Sequence, residues 1–334
     1  MTTLLRRFPF RRSFPVEYLG KQISLEQKSL KKANCSTVIK FASSKSFYRP
    51  ASRSRLHLSN TLCCQQTAYI MSSAEARLSD SVQAAKVKFQ KPYAVHKVTS
   101  ALHIFFLTEK YLNMELDKKR SQYKCGDRFV TLEKVQNWID YFKAGNVKPV
   151  GQDDGKGKYS ADEGLSSKVS LWQGDITVLE IDAIVNAANS SLLGGGGVDG
   201  AIHRAAGGSL LNECEELRGC PAGQAKITGG YKLPSKHVVH TVGPQGEKPD
   251  VLRSCYVNSL HLMLQNELRT IAFPCIATGV YGYPRDRAAN VALTTVREFL
   301  EKNSDKVDRV IFTVFLEEDK QVYEDLMQKY FPIQ

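Results

Sequence analysis

Apolar runs of strand length alternate with longer helical patterns through the C-terminal half of the chain. The runs are Val169–Trp172, Ala183–Ala187, His237–Thr241, Thr270–Ile276 and Val310–Phe315. The helical patterns cover Ala201–Arg218, Val251–Leu268, Arg285–Asn303 and Asp319–Tyr330. Strands that alternate with helices predict an α/β domain with a largely parallel sheet buried on both faces. Ligands of such sheets bind at the carboxyl ends of the strands.

The chain before this alternating region has a weaker pattern. Residues 1–71 show no sustained periodicity, and we expect them to be disordered or cleaved. Residues 72–150 are expected to form a partly helical extension. A polar, Gly-rich stretch at residues 151–167 predicts a linker, after which a domain occupies residues 168–334.

Two helices are predicted in the extension, at Ala74–Val87 and Leu132–Phe142. Helical spacing would place four side chains of the second helix on one stripe: Val135, Trp138, Ile139 and Phe142. Tyr123 and Trp138 are therefore expected to fill a core rather than to bind a ligand.

The net charge of +12 is concentrated at the N-terminus, where residues 1–70 contain 13 Lys and Arg but only Glu17 and Glu26 as acids. A basic tail differs from a basic binding face, so nucleic acid is not an expected partner. The tail is rich in Arg and Ser and lacks the apolar core of a secretory signal, which predicts a mitochondrial transit peptide. A disordered basic arm is the alternative. A start at Met71 would give a shorter, cytosolic or nuclear form.

The eight cysteines form no CxxC pair and no Cys/His zinc spacing, so no structural metal is expected. In a matrix or cytosolic compartment these thiols should be reduced. No stretch approaches the roughly 20 uninterrupted apolar residues that a membrane helix needs, so membrane insertion is not expected either.

A glycine-rich loop follows the run Ala183–Ala187. Residues 186–200 read Asn-Ala-Ala-Asn-Ser-Ser-Leu-Leu-Gly-Gly-Gly-Gly-Val-Asp-Gly and lead into a helical pattern that contains His203. Consecutive glycines expose backbone N–H groups and the next helix offers its positive end, so the loop predicts a phosphate site. A flexible linker is the alternative, but linkers rarely join a buried strand to the start of a helix.

Residues 195–200 also match the dinucleotide pattern G-x-G-x-x-G. In a dinucleotide fold the glycine turn follows its strand at once, and a carboxylate ends the next strand about 20 residues on. Here a polar segment intervenes, and Glu213, Glu215 and Glu216 lie in a helical stretch. A nicotinamide dehydrogenase is therefore disfavoured, and no cofactor is expected.

Two further features follow predicted strands. The loop Ala277–Pro284 again leads from a strand through a Gly-rich turn to a helix, so the two loops could hold both sides of a diphosphate. Asp175 lies just after the first strand and could accept a hydrogen bond from an exocyclic amine or a hydroxyl. It could equally cap the turn beyond it.

Together these residues resemble the macrodomain family, and specifically its MacroD-type branch. The shared phrases are Gly174–Thr177, Val185–Gly200, Ala225–Tyr231, His240–Pro244 and Phe273–Gly282, within a match from about Val169 to Pro332. The segment Tyr123–Leu132 resembles the helical extension that vertebrate MacroD proteins place before the macrodomain. An Arg-rich leader also resembles their mitochondrial form.

The resemblance implies a three-layer α/β/α sandwich with a mixed sheet. It implies a hydrolase that removes mono-ADP-ribose from Asp and Glu side chains of proteins and deacetylates O-acetyl-ADP-ribose, with water attacking the ester on the distal ribose. Its partners would be ADP-ribose, O-acetyl-ADP-ribose and mono-ADP-ribosylated proteins, bound by a monomer. A non-catalytic ADP-ribose reader is the alternative, although the intact signature from Asn189 to Asp199 favours catalysis.

The resemblance also implies roles for individual residues. Asp175 would accept from the adenine amino group with Ile176 beside it, and Phe315 would stack on the adenine. The remaining ligand-binding residues would be Asn186, Gly195, Gly196, Gly197, Val198, Thr278, Gly279, Val280, Tyr281 and Gly282. Asn189 and Asp199 would hold the distal ribose and the reacting ester. Without the resemblance, Phe315 would be read as a core residue and Asp199 as a helix N-cap.

Asp199 is the carboxylate of the glycine loop and the candidate catalytic group. A nearby helix N-terminus would keep it ionised, which suits a general base or an anchor for a ribose hydroxyl. The diphosphate could instead orient the water and leave Asp199 a positioning role. His203, one helical turn on, could support Asp199 or pack in the core. Cys275 has no evident His/Asp partner in the sequence, so we expect it in the core and predict no covalent nucleophile.

Overall fold

The computed structural model describes residues 103–145, 147–149 and 159–333. The predicted leader 1–71, the predicted helix Ala74–Val87 and residues 151–158 of the predicted linker lie outside the described residues. The described residues all belong to one structural unit, Val82–Gln334. Among them, no helix combines the length and the apolar character needed to cross a membrane.

The regular elements are numbered in chain order. The strands are β1 (Val130–Thr131), β2 (Val169–Gln173), β3 (Leu179–Glu180), β4 (Ala183–Ala188), β5 (Ala225–Gly229), β6 (His237–Val242), β7 (Thr270–Phe273) and β8 (Arg309–Val314). The helices are α1 (residues 103–112), α2 (Leu116–Arg120), α3 (Trp138–Lys143), α4 (Glu163–Ser166), α5 (Gly197–Ala206), α6 (Gly208–Leu217), α7 (Pro249–Gln265), α8 (Arg285–Asn303) and α9 (Glu317–Tyr330). Short 3₁₀ turns lie at Gly126–Arg128, Leu132–Lys134, Ile176–Val178 and Ser304–Lys306.

A six-stranded sheet runs through the middle of the unit in the order β2-β8-β7-β4-β6-β5. Neighbouring strands are parallel, except that the edge strand β5 runs antiparallel to β6. The parallel strands therefore bring their carboxyl ends to one edge, where the loops into α5 and α8 leave β4 and β7. A separate parallel pair, β1 with β3, attaches the extension.

Alternate side chains of the strands enter two different cores. On β4, Ile184 packs on the side of α5 and α6, whereas Val185 packs on the side of α7, α8 and α9. The same alternation continues on β8, where Ile311 and Phe312 enter opposite cores. Burial on both faces explains the near-continuous apolar runs of the sequence. The three-layer α/β/α sandwich with a mixed sheet is thus confirmed.

The predicted strands are present, but two of them were predicted to run past their observed ends. The strand predicted at Thr270–Ile276 stops at Phe273, because Pro274 has no N–H with which to continue the ladder. The strand predicted at Val310–Phe315 stops at Val314 and leaves Phe315 exposed. Strand β5 and the β1–β3 pair were not predicted as strands.

Two predicted helices were also wrong. The helix predicted at Ala201–Arg218 is two helices, α5 and α6, because Gly207 has a left-handed φ of 82° that ends α5. The helix predicted at Leu132–Phe142 is a 3₁₀ turn, an extended Val135 and then α3, whose N-cap Asn137 accepts from the Asp140 N–H at 2.9 Å. Val135 and Trp138 consequently enter opposite cores and share no stripe.

The extension packs against both sides of the sandwich. Trp138 is fully buried and donates from Nε1 to the Phe331 carbonyl at 2.9 Å, as expected for a core residue. The Tyr123 hydroxyl donates to Glu180 Oε1 at 2.8 Å, and the Thr108 hydroxyl lies 3.0 Å from that of Tyr231. In the predicted linker, α4 forms a buried turn capped by Asp162. The extension therefore contributes side chains to both cores of the sheet domain.

Candidate active site

The two glycine loops of the sequence meet at one edge of the sheet. The first glycine loop, residues 189–197, follows β4, and the second glycine loop, residues 277–284, follows β7, which pairs with β4. Gly195, Gly196 and Gly197 are exposed in the first loop, as are Gly279, Val280 and Gly282 in the second. A Cβ added at Gly196 or Gly279 would meet no atom within 4 Å. Both loops therefore line open space that a ligand can enter.

The first glycine loop is shaped by left-handed residues and by Asn189. Leu192, Gly194 and Gly197 have φ values of 62°, 83° and 58°, and the Leu192 side chain is fully buried as an anchor. Asn189 donates from Nδ2 to the Gly194 carbonyl at 2.7 Å and accepts at Oδ1 from the Ser191 N–H at 2.9 Å. The predicted ribose ligand Asn189 thus also fixes the loop.

Gly195 allows Asn189 and Asp199 to approach each other. A Cβ at residue 195 would lie 3.0 Å from Asp199 Oδ2 and 3.2 Å from Asn189 Nδ2. With glycine there, Asn189 Nδ2 comes within 3.5 Å of Asp199 Oδ2. Gly200 is needed for a similar reason, because a Cβ at this position would collide with the Gly195 carbonyl oxygen. The glycine loop therefore closes tightly over Asp199.

Asp199 lies in the first turn of α5, beneath the first glycine loop. The alternative interpretation of Asp199 as a helix N-cap is wrong, because the N-cap of α5 is Gly196. Asp199 is buried, with only 4% of its surface exposed, and Oδ1 accepts from Asn186 Nδ2 at 2.7 Å. Burial raises the pKa of Asp199 above its ordinary value, while the Asn186 hydrogen bond and His203 oppose that rise. The site therefore raises the basicity of this carboxylate, in addition to any effect of the helix end.

His203 faces Asp199 from one turn further along α5. Its Nε2 lies 3.5 Å from Asp199 Oδ1, and this buried nitrogen has no hydrogen-bond partner. Burial lowers the pKa of His203, although the Asp199 carboxylate opposes the effect. Of the two readings of this residue, the geometry favours a neutral imidazole beside Asp199 over a histidine simply packed in the core.

A buried histidine that sequence reasoning did not select lies on the far side of Asn186. His240 Nδ1 is 3.1 Å from Asn186 Nδ2, and His240 Nε2 is 2.9 Å from the Thr228 hydroxyl. Burial lowers the pKa of His240 to about 3, so the ring is neutral. The sequence did contain one sign of this residue: His240 is a polar side chain between Val238 and Val242 on a predicted buried strand. Its partner could not be read, because it depends on the parallel register that sets Asn186 beside His240.

Within the described residues, one group of side chains has a donor set that could hold a metal. One ligand atom each from His203, Cys214 and His240 lies within 4.8 Å of the others. Both nitrogens of His240 are already engaged, by Asn186 and Thr228. Burial also raises the pKa of Cys214 to about 12, which keeps the thiol protonated. The cluster therefore fits a metal poorly, and the three residues are better described as neutral packing partners.

The second glycine loop turns sharply at both ends. Ala277 and Gly282 have left-handed φ values of 67° and 69°, and the Tyr283 N–H donates to the Ala277 carbonyl at 3.0 Å. The Thr278 hydroxyl donates to the Cys275 carbonyl at 3.2 Å. Val280 is fully exposed at the tip, and Tyr281 is half-buried. Cys275 packs partly buried against the core, as expected.

The residues assigned to adenine lie at the far end of the same edge. Asp175 is exposed and accepts at Oδ1 from the Thr177 N–H at 2.9 Å and hydroxyl at 2.8 Å, so it does cap the turn Ile176–Val178. Its Oδ2 has no such role, and Ile176 is buried behind it. The Gly174 N–H donates to the Val314 carbonyl at 3.0 Å, which brings Asp175 near Phe315. Phe315 is 75% exposed, so its reading as a core residue is wrong.

Comparison with known proteins agrees with this arrangement. A family model described as Macro domain matches residues 185–292. Over 226 residues the chain is 53% identical to ADP-ribose glycohydrolase MACROD1 of Rattus norvegicus, a match that covers 65% of this chain and 84% of that protein. It is 54% identical over 231 residues to ADP-ribose glycohydrolase MACROD2 of Xenopus laevis, which covers 67% of this chain and 54%, or about half, of that relative.

A solved structure is similar as well. The crystal structure of a Trypanosoma brucei macrodomain in complex with ADP-ribose matches with a TM-score of 0.55 and 42% sequence identity. The match covers 66% of this chain and 86% of that chain. The similarity therefore extends beyond the residues of the family model and includes part of the N-terminal extension or of the C-terminal helices.

Proposed function

This chain belongs to the macro domain family, and on that premise we propose that it binds ADP-ribose and hydrolyses an ester bond at the distal ribose. The observation that carries the proposal is Asp199, a buried carboxylate held by Asn186 under an exposed glycine loop. A phosphate-binding loop alone would suit a reader. A carboxylate whose basicity is raised by burial, placed at the rim of that loop, suits a hydrolase.

The ligand would lie along the edge of the sheet. The exposed glycines of both loops can approach a diphosphate closely, and α5 directs its positive end towards the first loop. We assign Asp175 Oδ2 as the acceptor for an adenine amino group and Phe315 as its stacking surface; the exposure of both side chains supports the assignment. This direction along the edge brings the distal ribose to Asn189 and Asp199.

The chemistry needs a water, a proton acceptor and a leaving ribose hydroxyl. Asp199 Oδ1 is occupied by Asn186, whereas Oδ2 lies towards Gly195, where the loop is exposed. Oδ2 would take a proton from the water as its oxygen bonds to the ester carbonyl carbon. Collapse of that adduct breaks the bond to the ribose oxygen, which takes the proton back from Asp199 and leaves as a hydroxyl. In the alternative mechanism, Oδ2 would accept a hydrogen bond from a ribose hydroxyl and speed the reaction by orienting the substrate.

The substrates proposed are esters of one kind. Mono-ADP-ribose on Asp or Glu and O-acetyl-ADP-ribose both join an acyl group to a ribose hydroxyl, so one site can hydrolyse both. Leu193 and Val280 are exposed on the two glycine loops, so a protein that carries the modified side chain could contact both loops. The proposal includes a monomeric enzyme. The basic, acid-poor leader 1–70 supports a mitochondrial address.

The test is turnover by the full chain of O-acetyl-ADP-ribose and of a protein with Glu-linked mono-ADP-ribose. Asp199→Asn keeps the shape but removes the charge, and should lower kcat about 10²–10⁴-fold. The Kd for ADP-ribose should change less than about tenfold, because the glycine backbones supply most of the contacts. Asp117→Asn is the matched control, since Asp117 also lies in the first turn of a helix but in the extension.

The outcomes separate the two functions that the family offers. If the unmutated chain binds ADP-ribose yet hydrolyses neither ester, it is a reader. If Asp199→Asn turns over at the wild-type rate, the carboxylate is a spectator. The mechanism must then depend on Asn189, a water and the diphosphate of the substrate itself.

A further inference from the structure

A chain of buried polar side chains lies beneath Asp199 in a layer that is otherwise apolar. The polar chain consists of Thr228, His240 and Asn186, from β5, β6 and β4, and each of the three is at most 2% exposed. Their neighbours in this core are apolar residues such as Ile184 and Val238. Polar groups buried in such surroundings are costly unless they are paired, so their pairing calls for an explanation.

The pairing fixes the position of each proton. Asn186 Nδ2 lies 2.7 Å from Asp199 Oδ1 and 3.1 Å from His240 Nδ1. A carboxylate can only accept, so the amide nitrogen faces it and its second N–H points at the ring. His240 Nδ1 is therefore an acceptor, and the neutral ring has its proton on Nε2, 2.9 Å from the Thr228 hydroxyl. The Thr228 hydroxyl can in turn donate a hydrogen bond to the Gly229 carbonyl at 3.2 Å.

The opposite orientation of the Asn186 amide is disfavoured at Asp199, because it would turn Oδ1 towards the carboxylate. At His240 it would be accepted only if the ring moved its proton from Nε2 to Nδ1. In the observed orientation Oδ1 is buried without a partner. That unpaired acceptor is the cost of directing both N–H groups to Asp199 and His240. His240 thus contributes a lone pair that selects one of two orientations of the amide.

We propose that His240 is a positioning residue for the hydrolysis, because it holds the Asn186 amide in the orientation that donates to Asp199 Oδ1 and so leaves Oδ2 for the reaction. The inference rests on the proposed function. His240 is fully buried, and Asn186 is the residue that links it to Asp199 by hydrogen bonds. Loss of the His240 acceptor should therefore lower kcat and leave the affinity for ADP-ribose unchanged.

The experiment compares two substitutions at this position. His240→Phe keeps the ring and removes the acceptor, while His240→Asn can place Oδ1 near the former Nδ1 and restore it. His240→Phe should lower kcat about 10–100-fold through misplacement of Asp199, with the Kd for ADP-ribose changed less than about threefold. The acid limb of its kcat/KM profile should move up by about one pH unit as Asp199 loses its donor. His240→Asn should recover kcat to within about threefold of wild type.

Val239→Ala is the matched control for a damaged core. Val239 is adjacent to His240 on β6, but its side chain enters the opposite core, so the variant should lower the Tm and spare kcat and its pH profile. If His240→Phe keeps wild-type kcat, the inference is overturned. It is also overturned if both variants lose kcat equally and in step with their Tm.

The tautomer offers a test that needs no turnover. NMR of the ¹⁵N-histidine-labelled full chain, with His240 assigned from the His240→Asn spectrum, should show a neutral ring protonated on Nε2 from pH 5 to 8. A ring protonated on Nδ1 overturns the inference even if the enzyme is active. If the wild type binds ADP-ribose without hydrolysing it, the proposed function fails, while an Nε2–H ring still shows the amide held as described.

Discussion

Acid should destabilise this protein through His240. Burial lowers the pKa of His240 to about 3 in the folded state, whereas the unfolded chain has the ordinary histidine pKa of about 6.5. Below pH 6.5 the unfolded chain binds a proton that the folded chain cannot accept. The unfolding free energy therefore falls as the pH falls, from about 6.5 down to about 3, and the contribution is fully present above that window.

The magnitude follows from the width of the window. Each pH unit below the unfolded pKa costs about 1.4 kcal/mol per proton, so the change from pH 7 to pH 5 is about 2 kcal/mol. Lowered pKa values of His203 and His237, caused mainly by burial, add to the loss. Raised pKa values of Asp199 and Glu213, again caused mainly by burial, oppose it, because these folded carboxylates take up protons first. A difference between two proteins is therefore needed to isolate His240.

The assay is urea unfolding of the full chain at pH 7, 6 and 5 and constant ionic strength, followed by tryptophan fluorescence. Trp138 reports the transition because it is fully buried and bonded to the Phe331 carbonyl. The reference is His240→Asn, which cannot titrate in this range. Between pH 7 and 5 the wild type should lose about 2 kcal/mol more than the variant. Parallel losses would refute the conclusion that burial keeps His240 neutral.

Two further predictions concern the ligand and the leader. Asp175→Asn can keep the cap on the Thr177 N–H but replaces the second oxygen with a donor, so ADP-ribose affinity measured by calorimetry should fall about tenfold without a change in Tm; unchanged affinity would exclude Asp175 from the adenine site. A fluorescent protein fused to residues 1–70 should enter mitochondria because the segment is basic, acid-poor and Ser-rich; a diffuse cytosolic signal would favour the disordered arm.

The sequence predicted the layers of the fold better than its edges. Helix α8 was predicted with its observed bounds, Arg285–Asn303, since a long amphipathic pattern leaves little ambiguity. Strand β5 was missed because it lies at the sheet edge and alternates polar Lys226 and Thr228 with Ile227. The break at Gly207 was missed because a glycine inside a helical pattern can also be tolerated there.

The site, too, could be predicted only in part. Its loops could be located because consecutive glycines and their flanking strands are local features of the chain. The Asn186–His240 contact could not, because it depends on the register of two parallel strands that are distant in sequence. Asp175 shows a further limit, since a carboxylate that caps a turn with one oxygen, as this one does, still has a second oxygen with which a ligand could bond. A sequence pattern alone could not separate the two roles.

The first and the last strand of the six-stranded sheet, in chain order, pair with each other. β2 lies about halfway along the chain, and the strand beside it is β8, near the end of the chain. The bond from Trp138 to Phe331 likewise joins residues 193 positions apart. A ribosome adding about 5–20 residues per second needs roughly 10–40 s to cover that distance. Throughout that interval the sandwich cannot close. If residues 1–70 act as the transit peptide proposed above, the delay would give transport time to begin before the domain folds.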